Sequence, residues 1–290
     1  MNRVWAIAIH GGAGPLRHRD YSLAEAHMAQ TLQGAKADLI GGKSAVDVAQ
    51  AAVMALEESA HHVAGRGASP NALGQWELDA AIMEGQTRNA GSVAALRGYR
   101  SPIAAARTVM DKSHHLMLVG KGAAHFLKNH KLRRVWNPRD YYRPAVTRPV
   151  AEGELAHGTV GAVVLDVHGR MASATSTGGL LGKMPGRVGD TPILGAGTWA
   201  DERVAVSCTG QGEYFMRAAV AADVSARVRY GKQGLHKAAE DALQDVAFLG
   251  GDGGLIALDV LGNVTTPFLS EGMKRGTATS SGQFHVAVRR

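Results

Sequence analysis

Between Ser44 and Leu56, apolar residues fall at Ala45, Val48, Ala49, Ala52, Val53 and Leu56, the i, i+3, i+4, i+7 rhythm of a helix packed on one side. Ser44 precedes this run, with Asp47 at a capping position. Similar periodicity predicts helices from Ser22 to about Ile40, Ile103 to Lys112, Tyr214 to about Tyr230 and His236 to Ala247. Elsewhere the apolar runs are short and continuous, as in buried strands. They include Val4 to Ile9, ending in a Gly-Gly pair, then Val93 to Leu96, Leu116 to Val119 and Arg203 to Cys208. Leu255 to Leu258 and Val264 to Phe268 read as a closing hairpin after Gly250-Gly251-Asp252-Gly253-Gly254. Two sheets flanked by helices, with few parallel βαβ units, predict an α+β sandwich in one domain spanning residues 1–290.

One hairpin can be registered from sequence. Thr159 to Asp166 and Arg170 to Thr177 are apolar or β-branched runs joined by Val167-His168-Gly169. A three-residue hairpin loop favours glycine at its last, left-handed position, where Gly169 stands. Asp166 then faces Arg170, and counting outward sets Thr159 opposite Thr177. Opposed residues have Cβ atoms only ~4.5–5.5 Å apart. Just before this hairpin the pattern lapses. From Asn137 to His157 the chain carries Pro138, Pro144, Pro149, three arginines and small residues, and reads as a linker.

Composition narrows the class. Apolar residues make up 45% and charged residues 20%, with 37 glycines, which excludes a disordered chain and suits a tightly packed enzyme. No apolar run is long enough to span a bilayer. The opening Met1 to Ile9 runs into His10-Gly11-Gly12-Ala13-Gly14 without a small-residue cleavage pattern, so it reads as a first strand and the location as cytoplasmic. Cys208 is the sole cysteine, which excludes an internal disulfide framework and a multi-cysteine zinc site. The formal charge of +7 is mostly dispersed, except for Lys128, Lys131, Arg133, Arg134, Arg139, Arg143 and Arg148 around Trp136, Tyr141 and Tyr142. Basic residues among aromatics can stack and neutralise a single strand. A solvated helix end and loop explain them too, and no nucleic-acid-binding motif accompanies them.

Chemistry concentrates at Gly158-Thr159-Val160-Gly161. A threonine hydroxyl is a poor nucleophile without a base. Cleavage of the Gly158–Thr159 bond would give Thr159 a free α-amine, which titrates near ~7.7–8.0 and accepts protons at neutral pH. One residue then supplies nucleophile and base. Further on, Arg187-Val188-Gly189-Asp190 places opposite charges three positions apart on a Gly-rich loop, as an amino acid's two charged ends require; a surface ion pair is the plainer reading.

These strings, with Ile7 to Gly14, Glu77 to Met83, Thr175 to Gly179, Pro185 to Asp190, Ser207 to Gly210, Gly253 to Ala257 and Glu271 to Met273, resemble the plant-type asparaginases and isoaspartyl peptidases, which are N-terminal nucleophile hydrolases. The resemblance covers nearly the whole chain. It implies an αββα sandwich made as a precursor, cleaving itself into an α chain of residues 1–158 and a β chain of 159–290. It assigns Thr159 as nucleophile, Thr177 as its hydrogen-bond partner, and the Thr209 hydroxyl and Gly210 N–H as oxyanion donors. Substrate binding falls to Arg187, Val188, Gly189, Asp190, Thr209, Gly210, Gln211 and Gly212. Substrates of the family are β-aspartyl dipeptides and L-asparagine, cleaved through a β-aspartyl ester. No catalytic cofactor is implied, but a structural sodium ion is, on backbone carbonyls from about Leu56 to Arg66. A homodimer of αβ units follows from the same likeness.

One departure stands out. Where the family usually has Phe-Asn-Ala-Gly-x-Gly, this chain has His62-Val63-Ala64-Gly65-Arg66-Gly67, and Val63 has no polar atom in its side chain. Two other readings share these residues. One is glycosylasparaginase-like cleavage, although that relative usually has Asp, not Gly158, before its threonine and often a secretory signal. The other is a binding or scaffold descendant disabled at Val63, against which the retention of Thr159, Thr177, Arg187, Asp190 and Thr209 argues.

Overall fold

The computed structural model describes residues 4–14, 19–145 and 158–290. In chain order the first half comprises β1 (Ala6–Ala13), α1 (Ser22–Ile40), α2 (Ala45–Glu58), β2 (Leu78–Glu84), β3 (Ala90–Leu96), α3 (Pro102–Lys112), β4 (Met117–Val119), α4 (Gly120–Leu127) and α5 (Pro138–Tyr141). The second half comprises β5 (Val160–Leu165), β6 (Met171–Thr177), β7 (Thr198–Ala200), β8 (Val204–Gly210), α6 (Gly212–Ala218), α7 (Val220–Arg229), α8 (Leu235–Phe248), β9 (Gly253–Asp259), β10 (Val264–Thr265), β11 (Gly272–Thr279) and β12 (Phe284–Arg289).

Side-chain alternation along the strands builds four layers. An eight-stranded sheet runs β12-β11-β1-β5-β6-β2-β3-β4, and a four-stranded sheet runs β10-β9-β8-β7. On the outer face of the larger sheet, Ile7, Ile9, Val160, Ala162 and Val164 meet Met28, Leu32, Val48, Val53 and Leu56 of α1 and α2. The opposite faces of the same strands, through Ala6, Ala8, Val163 and Leu165, pack on Ala205, Ile256 and Leu258 of the smaller sheet. Outside that sheet, Val206, Cys208 and Leu255 meet Val224, Ala239, Leu243 and Val246 of α7 and α8. The α+β sandwich is therefore an αββα sandwich. Named strand pairs are antiparallel except β3 with β4.

The hairpin register matches the sequence reading: Val160 pairs with Ser176 and Leu165 with Met171. Gly169 closes the turn at φ +78°, its N–H donating to Asp166 O at 2.9 Å. Asp166 fixes the loop further by accepting from the amides of His168 and Arg170, and from Ala45 N at the start of α2.

Other expectations need correction. β1 does not stop at Ile9 but runs on through His10-Gly11-Gly12-Ala13, because β11 pairs with it as far as Ala13 across a bulge. The single helix from Tyr214 to Tyr230 is two helices broken at Ala219, which is left-handed at φ 48°. There the chain turns so that Ala221 and Ala222 amides reach the carbonyls of Ala196 and Gly195. The hairpin β9–β10 does not close the chain: β11 and β12 follow and join the larger sheet beside β1. Within the linker, Pro138–Tyr141 forms one helical turn, with proline at the start where its missing N–H costs nothing; residues 146–157 lie outside the described residues. Two of the aromatics among the basic residues serve internal packing. Tyr142 is buried and stacks on Trp76 at 4.8 Å, and Tyr141 donates its hydroxyl to Glu58 at 2.9 Å.

Candidate active site

Thr159, at the mouth of β5, faces the space between the sheets, as do Thr177 on β6 and Thr209 on β8, because each shares parity with neighbours that pack there. Thr159 Oγ1 donates to Thr177 Oγ1 at 3.3 Å. Thr177 Oγ1 also accepts the Gly179 amide at 3.0 Å. Thr209 Oγ1 accepts Ala13 N–H at 3.3 Å; a hydroxyl carries one proton and two lone pairs, so its proton stays available to an oxygen placed in the site. Gly158, Thr159, Thr177, Gly179, Leu180, Arg187, Gly189, Asp190 and Gly210 together line a cavity of ≈ 10 Å³. That is room for about one water, with the Gly158–Thr159 bond intact.

The two glycines flanking Thr159 have separate steric causes. A Cβ on Gly158 would lie 2.2 Å from Val63 Cβ and 2.3 Å from Val63 Cγ2. Val63 thus packs directly on the residue whose carbonyl precedes Thr159, and its own carbonyl accepts Gly178 N–H at 2.8 Å. A Cβ on Gly161 would lie 2.0 Å from Ser207 Oγ and 2.4 Å from His10 Nε2.

Those two groups belong to a buried polar chain that the sequence reading missed. His10 Nδ1 donates to the Thr159 carbonyl at 3.1 Å, which leaves Nε2 to accept Ser207 Oγ–H at 2.9 Å. Ser207 Oγ meets Thr175 Oγ1 at 2.8 Å, and Thr198 Oγ1 donates to Thr175 Oγ1 at 2.7 Å. Burial, opposed by the Thr159 carbonyl, lowers His10 to about 3, so the ring is neutral and its tautomer is fixed by the carbonyl. One signal was present in the sequence: Ser173, Thr175 and Thr177 put hydroxyls at alternate positions of β6, on its inter-sheet face.

The charged pair is split between two environments. Asp190 is 4% exposed, and its Oδ2 has no hydrogen-bond partner among the described residues. Burial foremost, aided by the charge of Glu213 and opposed by Arg187 and nearby amides, pushes its carboxyl up to about 7. Arg187 does not pair with Asp190; it grips Glu213, Nε to Oε1 and Nη2 to Oε2, both at 2.9 Å. Beneath their loop, Gly186 N–H donates to the Glu77 carboxylate at 3.1 Å, and buried Lys183 donates Nζ to Glu77 O at 2.7 Å. Asp79, opposite Thr177 in the ladder, is buried and raised by burial, with Lys183, the Ala95 amide, Arg187 and the Gly189 amide opposing.

Of the remaining predicted residues, Gly212 backs Asp190, since a Cβ there would lie 2.8 Å from Asp190 Oδ1. Gln211 turns away from the cavity: its N–H donates to Asp252 O at 3.0 Å, and its Oε1 accepts Asp252 N–H at 2.9 Å. Val188 is half-buried beside the cavity-lining Gly189. Cys208 is fully buried on the opposite face of β8, and burial pushes its thiol well up.

The profile of a family described as asparaginase matches residues 3–144 and 137–288. The isoaspartyl peptidase of Escherichia coli is 44% identical over 294 residues, covering 93% of this chain and 91% of its own. That of Salmonella typhimurium is 42% identical, covering 95% of each. The plant-type L-asparaginase of Pyrococcus horikoshii is 37% identical, covering 89% of this chain and 91% of its own.

Proposed function

The chain belongs to the asparaginase family, and we propose that it is a self-processing threonine hydrolase of β-aspartyl dipeptides and L-asparagine. The observation that carries this reading is the Thr159–Thr177 hydroxyl contact of 3.3 Å directly after Gly158, in a cavity shared with Arg187 and Asp190.

In maturation, Thr159 Oγ attacks the Gly158 carbonyl carbon. The C–N bond breaks, and the resulting ester is hydrolysed to a Gly158 carboxylate and a free Thr159 amine. Holding the Thr159 carbonyl on His10 Nδ1 limits rotation of the nucleophilic residue. In turnover, the amine takes the hydroxyl proton as Oγ attacks the substrate's side-chain carbonyl. The tetrahedral oxyanion receives the Thr209 O–H and the Gly210 N–H; each such donor is worth about 2.7–4 kcal/mol. Nitrogen leaves with a proton, as ammonia from asparagine or as the α-amine of the second residue from a dipeptide. Water then hydrolyses the β-aspartyl ester. Arg187 suits the α-carboxylate, and the unpaired Asp190 Oδ2 suits the α-ammonium.

We extend the proposal to a structural sodium ion on the segment from Leu56 to Arg66. Ala60 turns this segment in a left-handed conformation, φ 60°. The carbonyls of Leu56, His62, Val63, Ala64, Gly65 and Arg66 already accept from Ser59 Oγ and from the amides of Ala64, Gly178, Gly67, Ala68 and Arg143, so the ion would rest on those from Glu57 to His61. Exchange of sodium for choline chloride should then lower the melting temperature. A homodimer of αβ units and a cytoplasmic location belong to the same reading. Among the described residues no helix is long and apolar enough to cross a membrane.

The functional test is release of aspartate from β-aspartyl-leucine and from L-asparagine. Wild type is expected to cleave both and Thr159→Ala neither. Equal rates in the two proteins would overturn the assignment.

A further inference from the structure

Arg187 presents five N–H groups in a rigid fork. Glu213 takes one edge, through Nε and Nη2. The other edge, Nη1 with the second proton of Nη2, is itself a two-pronged donor. Nη1 lies 3.0 Å from where a Cβ on Gly189 would stand, and Gly189 and Arg187 both line the cavity at Thr159. Arg187 is therefore held by Glu213, whose side chain is half open to solvent, while its free edge lies beside Gly189 at the cavity that Thr159 also lines. Glu213 also sits on the first turn of α6, three residues beyond Gly210. The segment that supplies the oxyanion donors thus continues directly into the group that anchors the guanidinium.

We infer that Glu213 is a positioning residue for substrate binding: it fixes Arg187 by the Nε edge so that the Nη1 edge meets the substrate's α-carboxylate at a set distance from Thr209 and Gly210. The inference rests on the reading of Arg187 as the α-carboxylate site. It gives Glu213 a task that is separate from maturation, which involves neither charge. A second consequence concerns Asp190. Of the charged and titratable groups around that carboxyl, Arg187 lowers it and Glu213 raises it, while the neighbouring Cys208 thiol is itself pushed up and neutral. Removing the Glu213 charge should therefore move the Asp190 midpoint to lower pH.

Three variants decide the matter: Glu213→Ala, Glu213→Gln and Arg187→Ala. Each is scored for self-processing by intact mass, for KM and kcat with L-asparagine, and for the pH dependence of competitive inhibition by L-aspartate. Glu213→Ala should process as wild type and keep kcat within about twofold. Its KM should rise about three- to tenfold, the cost of immobilising one rotamer-rich side chain on binding. Glu213→Gln, which keeps one acceptor oxygen, should fall between. In both, the acid limb of L-aspartate binding should shift to lower pH. An unchanged or lower KM in Glu213→Ala would overturn the inference, the latter by making Glu213 a competitor for the guanidinium. Failure to process, or a fall in kcat alone, would also overturn it, by making the role structural. If Arg187→Ala leaves KM unchanged, the reading of Arg187 itself fails. If Arg187→Ala raises KM and Glu213→Ala does not, only the inference about Glu213 fails.

Discussion

Substrate affinity should collapse on acidification because of one carboxyl. Asp190 is buried with an unpaired oxygen, and its midpoint is pushed up to about 7. Only its ionised form can pair with an α-ammonium. A midpoint near 7 leaves about one molecule in eleven ionised at pH 6 and about ten in eleven at pH 8, so affinity should fall about tenfold between them. The assay is the inhibition constant of L-aspartate between about pH 5.5 and 8.5 in wild type and Asp190→Asn. The free Thr159 amine titrates near ~7.7–8.0 in the same window, so the variant supplies the background to subtract. Asp190→Asn should bind at least thirtyfold more weakly at pH 8, since losing one partner of a buried charge pair costs about 2 kcal/mol or more. Stability should run the other way. The folded-state pKa lies above its ordinary value of 3.8, so the native state holds the proton more tightly, and this contribution, full below that value, is lost as pH rises toward about 7. The same pH change that readies the site for substrate weakens the fold, until the substrate's ammonium neutralises the charge. An L-aspartate inhibition constant that is flat across the range, or an identical profile in Asp190→Asn, would refute this reasoning.

Three further outcomes follow from the geometry. Gly158→Ala should block chain cleavage, because the new Cβ meets Val63 Cβ and Cγ2; adding Val63→Gly, which removes both atoms, should restore part of it, and denaturing gels read both. His10→Leu should slow cleavage and cost about 1–3 kcal/mol in urea unfolding, since it takes a ring partner from the buried Thr159 carbonyl and leaves the Ser207 hydroxyl only Thr175. Glu57 is fully buried; desolvation raises it to about 7, against donors from Ser101, Ser176 and Ile103 N. Glu57→Gln should therefore lose less melting temperature than wild type between about pH 4.5 and 7, the window in which the wild-type carboxyl must give up its proton. Equal slopes would remove Glu57 from that role.

Much of this was legible because it is local. Helix α2 could be read from its apolar stripe and Ser44 cap, and the 159–177 pairing from one glycine in a three-residue loop. What the sequence concealed depends on residues far apart. His10 and Ser207 are 197 positions apart and meet only when the two sheets stack. Glu213 was invisible because its partner, Arg187, lies 26 residues earlier on a loop whose course is set by Glu77 and Lys183. The break at Ala219 gave no signal either, since alanine is a strong helix former, and only the carbonyls of Gly195 and Ala196 explain the second helix's start. Strands β11 and β12 were missed because charged residues such as Lys274, Arg275 and Arg289 interrupt their apolar ones, and Lys274 is buried although its charge reads as exposed.

The central claim is that Thr159 becomes an N-terminus by its own chemistry, although Val63 rather than asparagine packs on the scissile residue. Intact mass under denaturing conditions, measured on purified wild type and Thr159→Ala, tests it most directly. Wild type should separate into chains of residues 1–158 and 159–290, while Thr159→Ala stays whole. A single uncleaved chain in both proteins, or cleavage in both, would contradict it.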